Sequence, residues 1–126
     1  MRVDRRSPEL LDLYQRLGVS SAGCITACNP FSRKLREAQN RRRMRALEQS
    51  VARLRWPALP TRGQDPRCHW PDEPGLLVLG ASADDVCRLG RHFGQNAVLI
   101  AQWDGIPHLV FLRSRCGPET SRTLRS

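Results

Sequence analysis

The sequence predicts an α+β domain: a largely antiparallel sheet in β-α-β-β-α-β-β order, preceded by an N-terminal helix. Three observations carry that expectation. Apolar residues recur at helical spacing in three segments that open on small polar cap residues. Short apolar runs bounded by glycine and proline have the length and punctuation of strands. One Asp-Gly dipeptide joins two such runs and signals a hairpin. With 126 residues the chain has room for one domain and a core that needs no disulfide or metal.

Ser7-Pro8-Glu9 opens the first helix, with serine as cap, proline in the first turn and a carboxylate at the positive helix end. Leu10, Leu13, Tyr14 and Leu17 form one apolar face, and Gly18 is a natural stop. The predicted helix spans residues 8–17. Cys24 to Cys28 reads as a strand ending at Asn29-Pro30. The longest predicted helix runs over residues 32–54, capped by Asn29 or by Ser32, with Met44, Leu47, Val51 and Leu54 as its apolar stripe. Asn40 falls inside that stripe, where an unpaired amide would cost roughly 1–3 kcal/mol. A turn at Asn29 or a bound ligand could satisfy it.

Trp56 to Pro60 is extended and proline-rich, an edge strand at best. Thr61 to Pro74 reads as a long loop. Gly75 to Gly80 suits a central buried strand. Ser82 caps a further helix carrying Val86, Leu89 and Phe93 inward, with Gly94 as its stop. Ala97–Trp103 and Ile106–Leu112 are strands joined by Asp104-Gly105 in an expected two-residue type I′ turn. Without the first helix and last strand, the order is the split βαβ of ferredoxin-like domains. Residues 1–22 are expected to form a helix and linker packed on a domain of residues 23–112, and 113–126 a disordered tail.

No run approaches the ~18 apolar residues of a membrane span, and the charged start does not resemble a signal peptide. Five cysteines without a framework fit reduced thiols. Both point to the cytoplasm. The net charge of +9 raises the case for a polyanionic partner, nucleic acid or a phosphorylated ligand. Against it, 20 of the 21 basic residues are arginine, which codon bias alone produces. Residues 33–55 hold nine basic residues against Glu37 and Glu48, so +7 of the charge lies on one element. The outward members are Lys34, Arg41, Arg42, Arg45 and Arg53, a candidate polyanion-binding face. No aromatic interleaves with them in the sequence.

Ile25-Thr26-Ala27-Cys28-Asn29-Pro30-Phe31-Ser32, Trp70-Pro71-Asp72-Glu73-Pro74 and Phe93-Gly94-Gln95-Asn96-Ala97, with Asn40, form a second constellation. Together they resemble the bacterial domain-of-unknown-function family 3293, over about residues 24–112. The resemblance implies domain extent and recurring residues, and no activity. Cys28 stands where that family is expected to hold an aromatic residue, and Gly75 where serine is expected. Read physically, Asn29 and Ser32 lie at a strand-to-helix junction, where free N–H groups could hold an anion or form a plain cap. Asn29, Ser32, Asn40, Glu73 and Gln95 make a candidate polar pocket if their elements converge.

That pocket lacks a nucleophile–base pair, and Glu73 is the one candidate base. No nucleophilic triad, phosphate loop or dinucleotide fingerprint appears. Cys24, Cys28, Cys68, His69 and Cys116 lack zinc-site spacing, so no metal or cofactor is expected. His92 and His108 are isolated. The leading expectation is a non-catalytic module contacting a polyanion through the basic helix. Its alternative is a small enzyme or ligand sensor built on the polar pocket. A third is an adaptor that uses the N-terminal helix.

Overall fold

The computed structural model describes residues 3–63 and 73–112. Its elements are α1 (Pro8–Leu17), β1 (Ala22–Ile25), a 3₁₀ turn (Pro30–Ser32), α2 (Glu37–Arg53), β2 (Ala58–Gly63), β3 (Glu73–Leu79), α3 (Ala83–His92), β4 (Ala97–Ala101) and β5 (Pro107–Phe111). The sheet order is β2-β3-β1-β4-β5, every neighbouring pair antiparallel. Within it β2-β3-β1-β4 is the split βαβ arrangement, and β5 extends it by a hairpin.

Strand alternation divides the core in two. On one face Ile25, Leu76, Val78, Val98 and Ile100 pack under α2 and α3, which contribute Met44, Leu47, Val51, Val86 and Leu89. Gly23 lets α3 close onto this face, because a Cβ there would lie 2.5 Å from Val86 Cγ2. On the other face Leu10 and Tyr14 of α1 cover Ala22, Leu77, Leu79 and Ala101. Leu59 and Phe111 project on the same side as Leu77 and stay exposed, beyond the reach of α1.

The first helix matches its sequence signals: Ser7 Oγ accepts the Leu10 N–H at 3.2 Å, and Gly18 closes the C-terminus. Other boundaries differ. The first strand stops at Ile25, and residues 26–29 leave the sheet. The long helix begins at Glu37, five residues later than its stripe and caps indicated. Asn29 and Phe31 take left-handed backbone, Arg33 is extended, and α2 starts afresh after that turn. Neither Asn29 nor Ser32 is its cap, and Lys34 lies ahead of it.

The expected loop from Thr61 is shorter. β2 runs to Gly63 and β3 starts at Glu73, paired to each other. The two-residue hairpin is a five-residue loop: Gly105 N–H returns to Gln102 O, and of Asp104 and Gly105 only Gly105 is left-handed. A type I′ turn needs both in that region. The expected tail, and Cys68, His69 and Cys116, lie outside the described residues. Among the described residues no helix is long and apolar enough to cross a membrane.

Candidate binding surface

Where β1 ends, the chain must turn under the start of α2. Asn29 makes that turn in the left-handed region, which asparagine tolerates better than most residues. Asn40 Oδ1 accepts the Asn29 N–H at 2.9 Å, while Asn40 Nδ2 donates to Asn29 Oδ1 at 3.0 Å. Asn29 Oδ1 also accepts the Leu35 N–H at 2.8 Å. Asn40 therefore stitches the strand exit to the apolar side of α2. Three N–H groups that could have cradled an anion are occupied: Asn29 by Asn40, Leu35 by Asn29, and Phe31 by Gly94 O at 2.6 Å.

Gln95 joins from the opposite side. It is buried, and its Nε2 donates to Cys28 O at 3.0 Å and to Phe93 O at 3.3 Å. Arg43, one turn beyond Asn40, donates from Nε to Ala27 O at 2.5 Å and from Nη2 to Phe93 O. The two turns touch so closely that a Cβ at Gly94 would lie 2.9 Å from Pro30 Cβ. Gly94 is also left-handed, at φ +72°. Asn29, Asn40 and Gln95 thus do converge on one junction, and the amide bonds described go to protein groups. The backbone places Ser32 in the 3₁₀ turn and Glu73 at the first position of β3. Thr26 Oγ1 donates to Pro74 O at 2.7 Å, bringing the start of β3 beside the β1 exit.

Beside this junction lies an open groove of about 1030 Å³ between α2 and the β2–β3 pair. Asn29 and Asn40 form part of its floor, and Lys34, Arg41, Arg45 and Arg62 stand around it with Glu37 and Glu48. At 100° per residue, Arg41, Arg42, Arg45 and Arg53 fall within an arc of about 120° that lies away from the Met44–Leu47–Val51 stripe. Eight of the nine basic residues between 33 and 55 are exposed, and Arg43 is half-buried. Among the described residues the single ion pair in this stretch is Arg41 Nη1 to Glu37 Oε1 at 3.1 Å. The other seven exposed basic residues form no ion pair among the described residues.

The thiols are poorly suited to attack. Burial pushes the Cys24 and Cys87 thiols up, which Thr61 beside Cys24 and Arg91 beside Cys87 only partly offset. Cys28 is buried, with Sγ 3.9 Å from Pro74 O. His108 pairs with Asp4 at 3.1 Å, and His92 packs edge-on against Phe93. Among the described residues no three His, Cys, Asp or Glu side chains come together to hold a metal ion.

A family model described as "Protein of unknown function (DUF3293)" matches residues 25–98. The chain belongs to this family. Its matched span starts at the last residue of β1, includes α2, β2, β3 and α3, and ends inside β4. The DUF3293 region therefore contains Asn29, Asn40, Arg43 and Gln95, while α1 and β5 lie outside it. No curated protein matches the sequence. Among solved structures, a phage SAM lyase in complex with S-methyl-5′-thioadenosine is similar at 14% identity, covering 73% of this chain and 88% of that one with a TM-score of 0.41.

Sequence reasoning found Asn29, Asn40 and Gln95 through the resemblance and through one polar residue on an apolar stripe. It counted Arg43 only as charge, although a position three residues after Asn40 places both on one side of the helix. Arg62 and Arg91 carried no local signal.

Proposed function

We propose that this DUF3293 protein is a non-catalytic module that binds the phosphate backbone of a nucleic acid along α2. The observation that carries the reading is the run of exposed basic residues between 33 and 55, with one ion pair among them. Lys34, Arg41 and Arg45 border the groove, and Arg42 and Arg53 continue the cationic arc outward. Arginine meets phosphate with a planar fork of donors, and each contact releases a condensed counterion. Codon bias enriches arginine throughout a chain but does not gather it on one helix.

The polar cluster supports this module rather than an enzyme. Asn29, Asn40, Gln95 and Arg43 hold α2 against the β1 exit and the α3–β4 turn, so the basic face is presented on a fixed scaffold. Among the described residues no activated nucleophile stands beside them. Free thiols at Cys24 and Cys87 suit a reducing compartment, so the reading includes the cytoplasm.

Retention on heparin tests it. The combined variant Lys34→Glu, Arg41→Glu, Arg42→Glu, Arg45→Glu is expected to elute at clearly lower salt than the parent chain, with an unchanged melting temperature. All four residues are exposed, so the fold does not depend on them. Equal elution of the two proteins would refute the reading.

A further inference from the structure

A second cavity lies between the Pro30–Phe31 turn and the Phe93–Gly94 turn, about 390 Å³ in volume. It shares only Leu35 with the α2 groove. Arg33, Arg43, Arg91 and His92 line it, and among the described residues no carboxylate does. Arg43 is fixed there by its bonds to Ala27 O and Phe93 O, which leave Nη1 uncommitted among the described residues. Arg91 Nε is buried and has no hydrogen-bond partner among the described residues. Native proteins rarely leave a buried donor unmatched, and where they do the group is a candidate for a ligand contact.

The rim supplies the other half. Phe31 is held at φ 54° by its N–H bond to Gly94 O, and its side chain is 48% exposed. The ring edge lies close to Gly94, and the half-exposed ring offers a flat apolar surface beside a cationic cavity. The combination matches a ligand that carries a planar ring and a phosphate. The volume lies in the range of small-molecule sites, ~300–1,000 Å³.

We propose that this cavity is a nucleotide site, in which Arg33, Arg43 and Arg91 hold the phosphate and the Phe31 ring carries the base. It does not rest on the groove reading, because none of the groove cations lines it.

Calorimetric titration of the full chain at low salt with adenosine 5′-monophosphate, adenosine and inorganic phosphate tests the proposal. The monophosphate is expected to bind at least about tenfold tighter than either fragment. Arg91→Met is expected to weaken monophosphate and phosphate about tenfold, and Phe31→Leu to weaken monophosphate and adenosine while leaving phosphate unchanged. Circular dichroism of each variant confirms that it folds. The Lys34→Glu, Arg41→Glu, Arg45→Glu variant is expected to bind the monophosphate as the parent does. The proposal is overturned if the monophosphate binds no tighter than phosphate, if folded Arg91→Met binds it unchanged, or if the groove variant abolishes binding.

Discussion

Asn40 sits on the apolar side of α2, yet both ends of its amide are bonded to Asn29. Replacing it with leucine removes the partner of the Asn29 N–H and one partner of Asn29 Oδ1. Asn40→Leu is therefore expected to destabilise the fold by about 1–3 kcal/mol, read as a shifted midpoint in urea. A neutral result would mean that the clasp contributes nothing to the fold. Asn40 was legible because a polar residue interrupted a periodic pattern. Arg43 was not, since an arginine among arginines gives no sign that its guanidinium turns inward to two carbonyls.

Tyr14 offers a cleaner readout at the same scale, because it is the sole tyrosine of the chain. Burial, assisted by the Asp104 carboxylate, pushes its hydroxyl up to about 12 from the usual 10.0, and that hydroxyl donates to Ala101 O at 3.3 Å. The folded state favours the neutral phenol. Its contribution to stability is complete below pH ~10 and is lost as pH rises towards the folded value. Absorbance at 295 nm is expected to titrate near 12 in the native protein and near 10 in the unfolded one. A native midpoint near 10 would contradict the docking of α1 on the sheet.

At the scale of elements, α2 shows where sequence signals fail. Its C-terminus is a Schellman motif: Arg55 N–H returns to Ala52 O and Trp56 N–H to Val51 O. Arg55 occupies the left-handed position at φ 64°, where glycine is the usual choice. The end near Leu54 was readable from the apolar stripe, although no glycine marked it. Arg55→Gly is expected to stabilise the protein by about 0.5–1 kcal/mol, measured by thermal melting. A loss of stability would mean that the arginine side chain contributes more than the strain removes.

The start of α2 was misread for a different reason. Proline and serine after Asn29 are ordinary helix-opening residues. Here long-range bonds override them. Asn40, Gly94 and Gln95 pull residues 28–31 into a tight turn before the helix can begin. The α3 boundaries were legible because they depend on local chemistry alone, with Ser82 Oγ accepting the Asp85 N–H at 3.1 Å. The β4–β5 hairpin was legible as a hairpin, but the buried Pro107 now pairs with Ala101, which leaves five residues in the loop.

For the whole molecule, the pattern of apolar runs and caps was enough to give the class and the split βαβ order. Strand runs bounded by glycine and proline, alternating with two amphipathic helices, admit few topologies. Leu10 and Tyr14 at helical spacing indicated a helix packed on the domain, but not that it would cover the second sheet face. Which polar residues met could not be read, because Asn29 and Gln95 are 66 positions apart and only the sheet order brings their turns together. The same holds for Arg43 and Arg91, which different helices bring to one cavity.

Charge is the molecule-wide property from which the functional reading follows, and its salt dependence is the most direct measure. Binding of a fluorescent single-stranded oligonucleotide is to be followed from low to physiological salt. The account predicts a linear fall of log K with log salt, at a slope of about −0.7 per phosphate contact. The Lys34→Glu, Arg41→Glu, Arg42→Glu, Arg45→Glu variant is expected to bind more weakly, with a clearly shallower slope. No binding at low salt, or a slope that the variant shares with the parent chain, would contradict it.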